Sequence, residues 1–462
     1  MRFIYHFALV LMLTVAGSVQ GIAASSAPSI VSEADVPLLI MKSVFADPAE
    51  QAAAVLQLKA RGNQDAVAAL LLAMRFRGPE AGVRDALKSL TRIKSDDFDD
   101  FMLWQEAHPQ VKPHPAYLDA KLQLLESMDP QFMRFLGEDR GLQQNMRIRL
   151  EEIEWGGVLV DGIPALDNPK LIAADKADYL GDENLVFGVS INGDARAYPL
   201  RIMGWHEMFN EVIGGVPVAL AYCTLCGSGI LYETKVDGRN KPFVFGSSGF
   251  LYRSNKLMFD RETDSLWNQF TGEPVVGPLA KSGIHLKVRP VAITTWAKWR
   301  AENPSSKVLA LKTGFKRDYG EGVVYNDYFA SEDLMFPAIV GDESIVKRKD
   351  YVFGMRDFGV QKAWPLKAFA AGKVINDKLG DTDIVLIGDE ATRTVRAYER
   401  GSLKFKAGND DAHLGAGKIA WLISEDWLTG PNGERLPRLP GHIAYWFAWN
   451  NYFGAKSELY KG

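Results

Sequence analysis

Two cysteines and a nearby histidine are the side chains of this chain whose types and spacing best suit chemistry. Cys223 and Cys226 are the only cysteines among 462 residues, and His206 lies 17 residues before Cys223. Thiolates and imidazoles bind soft or borderline metal ions, and a thiolate is also the nucleophile of thiol–disulfide exchange. The stretch therefore predicts a site and leaves its reaction open.

The residues after the second cysteine favour metal binding over redox chemistry. Redox Cys-x-x-Cys pairs of the thioredoxin type lie at a helix N-terminus, whose partial positive charge stabilises the thiolate. Here Cys226 is followed by Gly227-Ser228-Gly229 and then by a β-favouring run, which predicts a knuckle between two strands. Two thiolates need further ligands, and His206 is the nearest candidate. His442, which opens an aromatic segment near the C-terminus, is the candidate fourth ligand of a zinc or copper site.

The elements that must position these side chains can be predicted from local signals. Pro199 suits the start of a helix and Gly214-Gly215 suit its end, so we expect a helix between them that carries His206. Residues 216–222 are apolar and β-favouring, and residues 230–232 resume that pattern. The sequence predicts helix, strand, tight loop and strand.

Three long motifs resemble a bacterial and archaeal family known as DUF3179, a domain of unknown function. They are INGDARAYPLRIMGWHEMFNEVIGGVPVALAYCTLCGSGILY, FGSSGFLYRSNKLMFDRETDSLWNQFTGEPVVGP and RLPGHIAYWFAW, and the resemblance runs from about Glu152 to the C-terminus. The family has no established activity, so the resemblance implies a domain and not a reaction. It favours placing Asp260, Arg261 and Glu262 beside the site, where the residues alone predict a charged hairpin turn.

Three further residues complete the set of candidate site-lining side chains. Met203 and Glu207 flank His206, and Met258 could offer a soft thioether, although a buried methionine usually belongs to the core.

Residues 1–24 have the pattern of a secretory signal. Arg2 precedes the apolar run of residues 7–15, and Gly21-Ile22-Ala23 provides small residues for cleavage. An uncleaved anchor is the alternative, but the run is short for a bilayer span. We expect a periplasmic or secreted protein without a stable membrane span after signal cleavage.

Composition and patterning predict an α+β protein of two domains. Residues 32–150 have helical patterns broken by Gly and Pro, either HEAT-like pairs or an ordinary bundle. Residues 151–462 are expected to form a large β-rich domain with short strands and Gly- or Asn-rich turns. A net charge of −4 argues against nucleic acid as a partner.

Three functions remain open at the level of sequence. The first is a metal-binding protein or metalloenzyme with Cys223, Cys226, His206 and His442 as ligands. The second is a thiol–disulfide oxidoreductase that uses the two cysteines with His206 as a base. The third is a non-catalytic protein whose helical domain binds a protein partner. The residues do not decide whether the protein is an enzyme.

Overall fold

The N-terminal part of the chain is helical, as the sequence predicts. A computed structural model describes residues 31–137 and 145–462, so the predicted signal at residues 1–24 lies outside the described residues. The helices are α1 (Val36–Phe45), α2 (Pro48–Arg61), α3 (Val67–Arg77), α4 (Ala81–Thr91), α5 (Phe98–Ala107), α6 (Ala116–Met128) and α7 (Met133–Leu136). Residues 67–74 of α3 are all buried, which makes α3 the centre of this helical region. A HEAT-like pairing of the helices stays a prediction.

The remainder of the chain is rich in short strands, which confirms the predicted α+β class. The first strands are β1 (Ile153–Trp155), β2 (Leu166–Asp167), β3 (Leu171–Ala173), β4 (Leu185–Ile191), β5 (Asp194–Pro199), β6 (Met208–Ile213), β7 (Val216–Cys223), β8 (Ser228–Glu233), β9 (Phe245–Tyr252), β10 (Asn255–Asp260), β11 (Leu266–Asn268), β12 (Glu273–Val276), β13 (Val288–Arg289), β14 (Ala292–Thr295) and β15 (Lys307–Leu309). They form three sheets with the orders β1-β9-β10-β11-β12, β13-β8-β7-β6-β2 and β14-β4-β5-β15-β3.

Two more sheets follow towards the C-terminus. Their strands are β16 (Tyr351–Asp357), β17 (Val360–Pro365), β18 (Lys373–Leu379), β19 (Thr382–Asp389), β20 (Thr394–Glu399), β21 (Phe405–Ala407), β22 (His413–Ala416), β23 (Ile419–Ile423), β24 (Trp427–Thr429), β25 (Arg435–Leu439), β26 (His442–Tyr445) and β27 (Ser457–Leu459). The sheet orders are β26-β16-β17-β27 and β18-β19-β20-β25-β24-β23-β22-β21. The helices within the β-rich part are α8 (Leu200–His206), α9 (Trp296–Glu302), α10 (Asn326–Ala330) and α11 (Trp446–Phe453).

The helix predicted between Pro199 and Gly214-Gly215 is shorter than expected. It ends at His206, because Glu207 adopts a left-handed conformation with φ of 53°, and the chain then runs as strand β6. Residues 208–213 pair antiparallel with residues 216–221, and burial of both strands outweighs the helical spacing of the apolar residues.

The β-rich part contains the same arrangement twice. In β14-β4-β5-β15 and in β26-β16-β17-β27 the three successive pairings are antiparallel, antiparallel and parallel. Asn210 exchanges two hydrogen bonds with the backbone of Phe245, and Asn376 does the same with Phe405. We call residues 185–309 the first repeat and residues 351–459 the second repeat.

A tryptophan packs against a glycine at equivalent places in both repeats. Trp299 lies against Gly188 and Trp449 lies against Gly354, so closely that a Cβ on either glycine would overlap the indole ring. Each indole N–H donates to a serine hydroxyl. The acceptor is Ser306 at 2.8 Å in the first repeat and Ser457 at 2.7 Å in the second. These shared details indicate that the two repeats are versions of one unit.

The repeats are interlocked through strands β14 and β26. Strand β14 of the first repeat packs against β20 of the second, and β26 of the second packs against β8 of the first. The backbone N–H of Tyr445 in β26 donates to the carbonyl of Cys226 at 2.8 Å. The cysteine turn of the first repeat is therefore braced by the second.

Candidate functional site

The two cysteines lie at a turn between strands, as the sequence predicts. Strand β7 ends at Cys223 and β8 begins at Ser228, with the N–H of Cys226 donating to the carbonyl of Cys223 at 3.2 Å. Gly227 has a φ of +58°, and a Cβ there would lie 2.9 Å from the ring of Tyr351. Both facts require glycine at this position, because an L side chain is strained and crowded there.

The two thiols are free, buried and in contact with each other. Their Sγ atoms are 2.9 Å apart, and the exposed fractions of Cys223 and Cys226 are 2% and 0%. The Cys226 Sγ lies 3.3 Å from the carbonyl oxygen of Ser254 and accepts from the Asn255 amide at 3.2 Å. The arrangement is that of a vicinal dithiol held in one orientation.

The surroundings separate the pKa values of the two thiols. Burial acts to raise the pKa of Cys223, but hydrogen bonds from the Cys226 thiol and from the backbone N–H groups of Lys256 and Cys226 outweigh it and hold the pKa below its ordinary value. Burial raises the pKa of Cys226 well above its ordinary value, and the hydrogen bond to Cys223 raises it further. Cys223 is therefore the more acidic thiol of the pair.

A buried ion pair lies beside Cys223. The Glu207 carboxylate accepts from Lys256 Nζ at 3.0 Å and from the Thr224 hydroxyl at 2.7 Å, and the Tyr325 hydroxyl lies at 3.4 Å. Glu207 and Lys256 are 5% and 4% exposed. The left-handed backbone at Glu207 costs about 1–2 kcal/mol for an L-residue, and such strain concentrates at functional sites.

A small cavity joins Cys223 to this ion pair. Its volume is about 50 Å³, and its polar lining consists of Cys223, Glu207, Thr224, Ser247, Lys256 and Tyr325. The apolar lining includes Val158, Ile163, Met335 and Phe336. The geometry can admit a small group to the sulfur of Cys223 and place it between a cation and an anion.

His206 lies at the end of α8, with both of its ring nitrogens hydrogen-bonded away from the thiols. Nδ1 is 2.8 Å from the carbonyl of Pro164, and Nε2 is 2.6 Å from the hydroxyl of Tyr319. Burial lowers the pKa of His206, so the ring is neutral at pH 7. The imidazole is a structural link to the segment that carries Tyr319.

His442 is buried among aromatic rings. It lies near Phe270 and Trp449, and its Nε2 has no hydrogen-bond partner among the described residues. Burial lowers its pKa to about 3. Within residues 31–137 and 145–462, no three His, Cys, Asp or Glu side chains form a group that could hold a metal ion. The structure thus brings the two cysteines together without either histidine.

Of the other residues predicted to line the site, only Glu207 borders the cavity. Met203 and Met258 are fully buried in two separate apolar cores. Asp260 is buried and accepts from the indole N–H of Trp267 at 2.9 Å, which stabilises the turn after β10. Arg261 pairs with Asp161 and Glu262 pairs with Arg239, and none of these four residues lines the cavity.

Sequence reasoning missed Lys256, Thr224, Tyr325 and Asn255. Lys256 had a recognisable signal, since it lies within the strand residues Asn255–Asp260, all of which are buried. A lysine in such a strand needs a buried anion. The roles of Tyr325 and Asn255 depend on contacts between distant segments and carried no local signal.

Comparison with protein families identifies the β-rich part of the chain. The family DUF3179, described as a protein of unknown function, matches residues 160–456. Comparison with curated proteins and with solved structures gives no significant match. In the described residues, no helix has both the length and the apolar character needed to cross a membrane. The match covers more than half of the chain and includes the cysteine turn, so the chain belongs to the DUF3179 family.

Proposed function

We propose that the protein is a thiol–disulfide oxidoreductase in which Cys223 is the nucleophile and Cys226 the resolving thiol. The supporting observation is the contact between two free thiols whose pKa values are shifted in opposite directions, with the more acidic thiol facing the cavity. A low-pKa thiolate next to a protonated partner is the usual arrangement of a redox dithiol.

The oxidant in this reaction is the disulfide of a partner molecule, and the dithiol of Cys223 and Cys226 is oxidised. The Cys223 thiolate attacks one sulfur of the partner disulfide, and the other sulfur leaves as a thiolate. Cys226 then attacks Cys223 Sγ and releases the first partner sulfur. The dithiol loses two protons and two electrons, and the partner becomes two thiols. The Sγ atoms need to approach from 2.9 Å to about 2.05 Å to form the bond.

The Glu207–Lys256 pair supplies charge beside the reacting sulfur. Glu207 acts to raise the pKa of Cys223 through its negative charge, although hydrogen bonding outweighs it. The Lys256 ammonium, 3.0 Å from Glu207, lines the same cavity and can stabilise the thiolate that leaves.

The test uses the fact that each single mutant keeps one cysteine. Cys226→Ser should accumulate a mixed disulfide between Cys223 and an added disulfide, because no resolving thiol remains. Cys223→Ser should react far more slowly, since the pKa of Cys226 is raised. Intact-mass spectrometry after acid quenching measures both adducts. Equal trapping by the two variants, or a wild-type protein that never forms an internal disulfide, would refute the proposal.

A metal ion bound by the two thiolates is the second candidate. Two soft donors at one buried turn suit zinc or copper, and the cavity beside Cys223 leaves room for a further ligand from solvent. Elemental analysis of protein purified without chelator tests this, together with a thiol count before and after chelation. In this version His206→Ala and His442→Ala should keep the metal content. Loss of metal in either variant would instead support the histidine ligands predicted from the sequence.

An exported location is proposed from residues 1–24 alone. Oxidants in such a compartment would give the dithiol its electron acceptors. Cell fractionation with the native N-terminus and with residues 1–24 deleted tests it, and retention of the full chain in the cytoplasm would refute it.

A further inference from the structure

Exposed apolar side chains are concentrated in the segment that precedes the second repeat. Between residues 311 and 345 the exposed large apolar residues are Leu311, Phe315, Val323, Phe329, Met335, Ile339 and Ile345. The segment contains one short helix, α10, and otherwise has no regular secondary structure. Apolar groups exposed together in this way mark interaction surfaces more often than chance positions.

Part of this apolar surface surrounds the cavity of Cys223. Met335 lines the cavity and is nevertheless 52% exposed. Phe329 is 41% exposed, and its ring lies 6.2 Å from that of Tyr325, which also lines the cavity. Leu159 is 50% exposed and adjoins Val158 of the cavity lining. We call Leu159, Phe329 and Met335 the apolar rim.

The size of the cavity determines what the rim can bind. Sites that enclose a small molecule usually have volumes of about 300–1,000 Å³. The cavity at Cys223 has about 50 Å³, which suits the sulfur-bearing end of one side chain. The remainder of any disulfide substrate must stay outside, where it meets the apolar rim.

We propose that the apolar rim binds an extended polypeptide whose cysteine, flanked by apolar side chains, presents its disulfide to Cys223. The inference rests on the proposed redox function and names its substrate class. The rim is continuous with the reacting cavity, so a peptide bound there delivers its sulfur to the thiolate without a separate site. A small disulfide enters the same cavity but gains nothing from the rim.

The test compares two probes and two double variants. One probe is a peptide whose cysteine has apolar residues on both sides and forms a disulfide with a small thiol. The other probe is hydroxyethyl disulfide. The rim variant is Leu159→Ser with Phe329→Ser, two rim residues that do not themselves line the cavity. The matched control is Ile419→Ser with Leu422→Ser, whose side chains are 48% and 46% exposed on β23, outside the cavity lining. All four positions are exposed, so folding should survive, which melting temperatures check.

The rim variant should lose at least tenfold in the rate with the peptide and change less than twofold with the small disulfide. The control variant should keep both rates. Equal loss with both probes, or equal loss in rim and control variants, would overturn the proposal. So would concentration-dependent dimers in sedimentation that the rim variant abolishes, since a second copy would then be the occupant.

A non-reactive probe separates this inference from the redox function. The same peptide with a methylated cysteine should bind the wild-type chain, and the rim variant should bind it at least tenfold more weakly. If that peptide binds with this dependence and neither disulfide reacts, the rim proposal holds and the redox function fails. If both disulfides react but the methylated peptide does not bind, the rim proposal fails alone.

Discussion

Replacing Glu207 by glutamine should show how much the fold depends on the ion pair beside Cys223. The change keeps the size of the side chain and removes its charge, so the Lys256 ammonium remains buried at 4% exposure without an anion. Breaking a buried ion pair by removing one partner costs about 3–5 kcal/mol. The Thr224 hydroxyl can still donate to the amide oxygen, so the loss should come almost wholly from the stranded charge of Lys256.

The same variant should shift the acidity of Cys223 in a defined direction. Glu207 acts to raise the pKa of Cys223, so its neutralisation should lower that pKa and increase the thiolate fraction at any pH below it. Denaturant unfolding measures the first effect, and the pH dependence of iodoacetamide alkylation of Cys223 in a Cys226→Ser background measures the second.

A second buried ion pair, formed by Glu211 of β6, provides the control. Glu211 accepts from Arg196 at 2.7 Å, and both side chains are buried. Because Arg196 keeps its pair with Asp194 at 2.6 Å, Glu211→Gln should destabilise the fold less than Glu207→Gln and should leave the alkylation profile unchanged. Adding Lys256→Met to Glu207→Gln should restore much of the lost stability, since no buried charge remains. A cost below about 1 kcal/mol for Glu207→Gln, as found for exposed pairs, would refute this reasoning.

Three further outcomes are expected. Gly227→Ala should destabilise the chain more than Gly215→Ala in chemical denaturation, because both glycines have positive φ but only Gly227 is crowded, by Tyr351; equal losses would contradict this. Asn255→Ala should slow the resolving step in stopped-flow measurements, because the Asn255 amide helps to lower the pKa of Cys226; an unchanged rate would count against it. The pKa of His442 is about 3 in the folded chain and about 6.5 in the unfolded chain, so the free energy of unfolding should decrease as pH falls from about 6.5 to 3. His442→Leu should flatten that pH dependence in unfolding midpoints, and an unaltered slope would exclude this role of His442.

The sequence predicted the features that depend on local pattern. The helical region followed by a β-rich region appears in the spacing of apolar residues and in the Gly-rich turns, and the structure confirms both. The turn at Cys223 and Cys226 was predicted as strand, loop and strand because glycine follows the second cysteine and β-favouring residues follow the glycine. Residues close together along the chain decide these features.

The site beyond the cysteines depends on contacts that the sequence does not display. His206 was the nearest candidate ligand by residue number, yet its Nε2 is satisfied by Tyr319, 113 residues away. Helix α8 ends because Glu207 adopts a left-handed backbone conformation that is more typical of glycine. The strand that follows therefore begins within a stretch whose apolar residues still have helical spacing. Lys256 reaches Glu207 only because β10 lies close to the cysteine turn.

The internal duplication also escaped the sequence because its shared residues are sparse. The clearest shared residues are Val186-Phe187-Gly188, which correspond to Val352-Phe353-Gly354. The two asparagines that hydrogen-bond to phenylalanine backbones also correspond. Counting from those asparagines, Cys223 and Cys226 correspond to Asp389 and Thr392. The second repeat thus keeps the scaffold without the thiols, and only the sheet orders make the relation evident.

The interlocking of the repeats determines when the site can form during synthesis. The strand that covers the cysteine turn, His442–Tyr445, is synthesised more than 200 residues after Cys226. Pairings between such distant segments form late and make folding slow. Until β26 has been synthesised and paired, the cysteine turn lacks this cover, and oxidants and other thiols have easier access to Cys223 and Cys226. The cover that β26 gives the dithiol is therefore acquired late, well after the cysteines themselves have left the ribosome.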